Sequence, residues 1–124
     1  MFEELSGEKL GMRLSIQTVG EYQLIRIEEE LSVISDLEEL FFLVKGYVEQ
    51  GKTKIAVCFP NATYIYSGAI AVLLKCFKKV QSDRGELCII ESNPDIKNIL
   101  ITLNIDRLVR ILDSEDQLLK ASAS

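Results

Sequence analysis

Histidine is absent from this chain, and with it the side chain that most often serves as a general base near neutral pH. With no metal-ligand constellation either, most hydrolase chemistries are disfavoured, and the expectation is a protein that is not an enzyme. Cysteine is scarce: Cys58, Cys76 and Cys88 are odd in number, show no CxxC spacing and sit in strongly apolar surroundings. That pattern argues against a disulfide framework, zinc ligation or a Cys-His nucleophile and leaves small buried core residues. Neither GxxxxGK[ST] nor GxGxxG occurs, and the seven glycines are spaced as turn and cap residues, so no cofactor is expected. No apolar run approaches the ~20 residues that span a bilayer, and the N-terminus lacks a signal-peptide pattern. The reading is cytoplasmic, without membrane insertion. Lysine and arginine number 14 against 19 acidic residues, with no continuous basic strip, so a nucleic-acid partner is not expected.

What is present suits one compact unit. At 124 residues and 48% hydrophobic content, a single domain buries roughly two-thirds of the surface its unfolded chain exposes. Residues 1–11 read as an N-terminal extension and 12–124 as the domain. Met12 to Gln17 alternates apolar and polar like a half-buried strand, and Gly20-Glu21 turns it into a second, Tyr22 to Ile27, giving an antiparallel hairpin. Ser35-Asp36-Leu37-Glu38 has capping-box spacing for a helix whose inward face is Leu37, Leu40, Phe41, Val44 and Val48, with Gly51 just past its end. The continuous apolar runs Ile55 to Phe59 and Leu87 to Ile90 predict central strands covered on both faces.

A second helix is predicted from Ser67, with Ile70, Leu73, Leu74 and Phe77 inward, Lys75, Lys78 and Lys79 toward solvent, and Gly85 closing the segment. Asn93-Pro94 supplies an N-cap and first-turn proline for a third helix burying Ile96, Ile99, Leu100 and Leu103, which Asn104 stops. Val109 to Leu112 forms a last strand, and Ser114 to Gln117 has capping-box spacing for a closing helix through Leu119. The sum is β-β-α-β-α-β-α-β-α: an α/β domain with a mixed, mostly parallel sheet of about five strands and about four helices.

Where the strand after Phe59 gives way to helix two, the chain reads Ala62-Thr63-Tyr64-Ile65-Tyr66-Ser67-Gly68-Ala69-Ile70. Ser67 is expected at the N-cap, with the unpaired amides of the first turn and the positive end of the helix dipole behind its hydroxyl, a natural seat for a phosphate. The plainer reading is an N-cap worth ~1 kcal/mol and nothing more. Tyr64 and Tyr66 share one face, Val72 is expected to point outward, and with Ala69 they would extend a weakly polar docking patch around Ser67.

The order of elements, the run Ile55 to Phe59 followed by Tyr64 to Ile70, the later Arg84-Gly85-Glu86-Leu87, and the ending Ile96 to Leu108 together resemble the STAS domain of bacterial anti-sigma factor antagonists, over nearly the whole chain. In that family the start of helix two carries Asp-Ser-x-Gly-Leu, whose serine is phosphorylated by a partner kinase. The aligned residues are Tyr66, Ser67, Gly68, Ala69 and Ile70, so the serine is kept while the aspartate and glycine are replaced. Ser32 likewise stands where an acidic residue is common. The resemblance implies a regulatory module that binds an anti-sigma factor, itself a serine protein kinase that brings the ATP, and is switched by phosphate on Ser67. It implies partner-binding roles for Ser32, Tyr64, Tyr66, Ser67, Gly68, Ala69 and Val72. The alternative is a phosphorylation-independent STAS subunit of a larger signalling or transport assembly.

Overall fold

The computed structural model describes residues 3–5, 13–28, 30–31 and 37–123. One sheet contains β1 (Glu3–Leu5), β2 (Leu14–Val19), β3 (Tyr22–Ile27), β4 (Lys54–Cys58), β5 (Glu86–Ile90) and β6 (Arg110–Leu112). The helices are α1 (Glu38–Glu49), α2 (Ser67–Ser82), α3 (Pro94–Thr102) and α4 (Glu115–Ala123), with a 3-10 turn at Ile105–Arg107 before β6. The class, the mixed sheet and the four helices agree with the sequence pattern. A sixth strand joins the expected five because Glu3–Leu5, inside the segment set apart as an extension, pairs antiparallel with β2.

Strand order in space equals order in sequence, β1 to β6, with β1–β2 and β2–β3 antiparallel and the later three pairings parallel. Val19 pairs with Tyr22 across a two-residue turn whose first residue, Gly20, has φ +59°, a conformation that favours glycine. Three parallel connections advance in one direction across the sheet, and crossovers of one hand then place α1, α2 and α3 on the same face. The core bears this out. Ile25, Ile27, Ile55, Val57, Leu87 and Ile89 meet Leu40, Val44, Leu73, Val80, Ile96 and Leu100 in one apolar cluster. The alternate residues of the same strands, Leu24, Ala56, Cys58, Cys88 and Ile90, face the other way and meet Leu118 of α4. Small side chains at Ala56, Cys58 and Cys88 let that single helix lie close to the sheet. All three cysteines are free and buried, as expected of core residues, and burial pushes each thiol up to about 12.

Helix ends explain several boundaries. Gly51, with φ +83°, ends α1 as the Gly51 and Lys52 N–H groups bond the Val48 and Tyr47 carbonyls, each at 2.9 Å. At the end of α2 the left-handed residue is Arg84, φ +59°, while Gly85 is required for a different reason: a Cβ there would sit 2.2 Å from the Thr53 carbonyl oxygen. Asn93 caps α3 by accepting the Asp95 N–H at 2.9 Å, with Pro94 in the first turn, and left-handed Asn104 (φ +61°) terminates it.

Four expectations are corrected. Leu37, not a side-chain cap, precedes α1, and its buried side chain anchors the helix start; Ser35 and Asp36 lie outside the described residues. Gln117 reaches back to bond the Asp113 N–H at 2.7 Å, one residue before Ser114, so the box at α4 is shifted by one. Leu103 is 52% exposed, because α3 has ended and the chain turns away at Asn104. The inward stripe of α2 is Ala69, Val72, Leu73, Cys76 and Val80, rotated by about one residue from the expected one. That helix packs on α1 as well as on the sheet, which widens its buried arc and leaves Ile70 and Phe77 half-buried at its flank.

Candidate partner-binding site

The site is built on two loops at the C-terminal ends of β3 and β4. In the loop from Phe59 to Tyr66, apolar and polar residues divide the work. Phe59, Ala62 and Ile65 are buried in the core, which fixes the backbone, and the residues between them face out. Asn61 donates its side-chain amide to the Glu28 carbonyl, and the Thr63 hydroxyl bonds the Glu30 carboxylate. Glu28 is itself held by the Ser15 hydroxyl at 2.8 Å. The acidic segment after β3 therefore straps the loop that carries Ser67. Glu29 and Ser32, the predicted contact in that segment, lie outside the described residues.

Ser67 is exposed at the first residue of α2 and is not the N-cap. Tyr66 holds that position: its backbone is extended (φ −102°, ψ 159°) and its carbonyl accepts the first intrahelical bond, from the Ile70 N–H at 3.1 Å. No side chain caps α2, and no acidic residue lies in its first turn. The positive end of this 16-residue helix thus has neither a capping side chain nor a first-turn carboxylate beneath the Ser67 hydroxyl. Gly68 is exposed too, and a Cβ there would meet nothing within 4 Å, so no close packing demands the glycine.

Tyr64 is 49% exposed and Tyr66 half-buried, their rings meeting edge to face with centroids 4.8 Å apart. The structure thus brings Tyr64, Tyr66, Ser67 and Gly68 together at the surface. It separates Ala69 and Val72 from them, which are only 8% and 7% exposed and belong to the core. The outward Val72 expected from the sequence is corrected by the rotation of α2. Lys75 is no free cation: it pairs with Glu38 of α1 at 2.8 Å and lies 4.5 Å from the Phe41 ring centroid.

Sequence reasoning missed two features of this end of the sheet. Arg26, the lone charge in β3, binds both carboxylate oxygens of Glu115 at 2.7 Å and so pins α4 to the second face. Glu91, directly after the apolar strand β5, is buried with one oxygen unpaired. A charged residue interrupting or ending a buried strand was the available signal in both cases.

Among the described residues no helix is long and apolar enough to cross a membrane. The sequence profile of the STAS domain family matches residues 14–118. A Thermotoga maritima protein named as a candidate anti-sigma factor antagonist is 29% identical over 73 residues, a stretch covering 59% of this chain and 60% of that protein. Among solved structures, the anti-sigma factor antagonist SpoIIAA in its unphosphorylated form matches with a TM-score of 0.69 at 16% identity, over 90% of this chain and 98% of that one. The phosphorylated form of the Bacillus cell fate determinant SpoIIAA gives 0.67 at 15% identity, over 87% and 98%.

Proposed function

The chain belongs to the STAS domain family, as an anti-sigma factor antagonist-like member, and on that premise we propose that it binds an anti-sigma factor with serine-kinase activity and is switched by phosphate on Ser67. One observation carries the reading. Ser67 is exposed at the uncapped positive end of α2, where a phosphate is favoured in the free protein by the helix amides. The same dianion, added beside the Tyr64–Tyr66 pair, would have to lose its water when a partner docks there, which ends binding. The phosphorylated SpoIIAA structure supports the reading by its fold. In this view the domain itself does no catalysis, and ATP is bound by the partner.

The test is phosphate incorporation. Incubated with an anti-sigma serine kinase and ATP, the protein takes up one phosphate, Ser67→Ala takes up none, and the modified form no longer co-elutes with the kinase. Absence of incorporation at Ser67 refutes the switch. A second reading, a phosphorylation-independent subunit of a larger assembly, is favoured by Tyr66, which packs on Tyr64 where the family carries an acidic residue. Recovery of an ATPase subunit rather than a kinase, in a pull-down with the whole protein, would select it.

A further inference from the structure

At the opposite end of α2 from Ser67, a cleft of about 430 Å³ opens between the last turns of that helix, the start of β5 and the 3-10 turn that leads into β6. Val80 and Leu87, both buried in the core, line its base. Phe77, half-buried, and Leu108, 48% exposed, add apolar surface to its walls. Ligand clefts of this size are commonly apolar, with a few polar groups that fix orientation. Here those groups are Gln81, Glu86, Arg107 and Arg110.

The charge on these walls runs against that of the chain. The protein carries a net charge of -5, yet at the cleft two guanidiniums meet a single carboxylate. Arg110 is paired with Glu86 at 3.7 Å, and the same Glu86 oxygen accepts the Cys88 thiol at 3.4 Å. Arg107 is exposed, and among the described residues its side chain has no ion-pair or hydrogen-bond partner. Asp83 and Asp106, carboxylates of the adjoining turns, do not line the cleft. Arginine keeps its charge at every working pH, so one cation is left over. The negative end of α2 points this way, but its Val80 and Gln81 carbonyls already accept the Asp83, Arg84 and Gly85 N–H groups.

We propose that this cleft binds a monocarboxylate with an apolar body, its carboxylate held by Arg107. A guanidinium meets a planar carboxylate through two parallel N–H···O bonds, and a single negative charge matches the single surplus cation. A phosphate dianion would bring a second charge toward Glu86 and lose more hydration on entry. Phe77 and Leu108 would cover the apolar body over the base formed by Val80 and Leu87. The Gln81 side-chain amide supplies a further donor. The site lies roughly 20 Å from Ser67, at about 1.5 Å per helical residue, and does not rest on phosphorylation there.

The test is a titration of the whole protein with sodium hexanoate at constant ionic strength, followed by amide NMR. Saturable shifts are expected at Phe77–Gln81, Gly85–Leu87 and Arg107–Arg110, unchanged in Ser67→Ala and at least about tenfold weaker in affinity in Arg107→Gln. The unmutated protein gives two further readouts. Hexanamide keeps the body and loses the charge, acetate keeps the charge and loses the body, and each is expected to bind at least about tenfold more weakly than hexanoate. An end-blocked tripeptide of leucine, glutamate and leucine separates sources: tighter binding than hexanoate indicates a protein side chain, weaker binding a free small molecule. Shifts that do not saturate or that persist in Arg107→Gln overturn the assignment, as does hexanamide, acetate or inorganic phosphate binding as tightly as hexanoate.

Discussion

Ser67→Asp places one negative charge where α2 has no side-chain cap and no acidic residue in its first turn. Surface charges at a helix N-terminus typically contribute 0.3–1 kcal/mol at low ionic strength, and the exposed position keeps the estimate within that range. For 124 residues at roughly 2.1 cal/mol/K each, the unfolding entropy is about 0.26 kcal/mol/K, so the substitution raises Tm by about 1–4 °C. Thermal unfolding followed by circular dichroism, at about 0.01 M and about 1 M salt, separates charge from shape, since the screening length falls from about 30 Å to about 3 Å. Ser67→Asn serves as the neutral control. The gain of Asp over Asn should shrink several-fold at high salt. A destabilised Ser67→Asp, or a gain that survives high salt, refutes the claim that this helix end is primed for an anion, and with it the physical basis of the proposed switch.

Gly85→Ala drives a Cβ into the Thr53 backbone and is expected to lower stability by at least about 2 kcal/mol in urea unfolding, whereas Gly68→Ala, in open space, stabilises or is neutral within about 1 kcal/mol. Leu118→Ala removes the apolar anchor of α4 and costs about 2–5 kcal/mol, with hydrogen exchange speeding up first in α4. Arg84→Gly relieves a left-handed non-glycine residue at an exposed turn and is expected to raise stability by roughly 1 kcal/mol. The hydrogen bonds from Arg26 hold the Glu115 carboxyl below its ordinary value, so its contribution is present above the unfolded carboxylate range and lost as pH falls through the folded value. Glu115→Gln is therefore less stable than the parent at neutral pH, and the gap closes in acid; a gap independent of pH contradicts the assignment.

Much of the fold was legible because periodicity and caps agree over most of the chain. The turn at Gly20-Glu21, the unbroken runs in β4 and β5, Gly51, and Asn93-Pro94 each state a local rule that the tertiary structure obeys. The site was legible in part. A hydroxyl at the start of α2 follows from sequence, but its place one residue inside the helix depends on where the Tyr66 carbonyl finds its first donor. Burial of Val72 depends on α1 lying beside α2, a contact between segments distant in sequence that periodicity within α2 cannot encode. The strap from Thr63 to Glu30 and the unpaired oxygen of Glu91 are likewise products of assembly.

Because the strands stand in the sheet in the order in which a ribosome makes them, each newly emerged strand finds its neighbour already synthesised, and none has to be threaded between two that are paired. Sequence separations between paired strands stay at the length of one hairpin or one crossover helix, and the long reach is left to α4, which returns to β3 through the Arg26–Glu115 pair, 89 residues apart. Growth by accretion from the amino end would leave β6 and α4 as the last pieces to dock, so the Arg26 clasp on Glu115 comes into being only when the whole domain has left the exit tunnel.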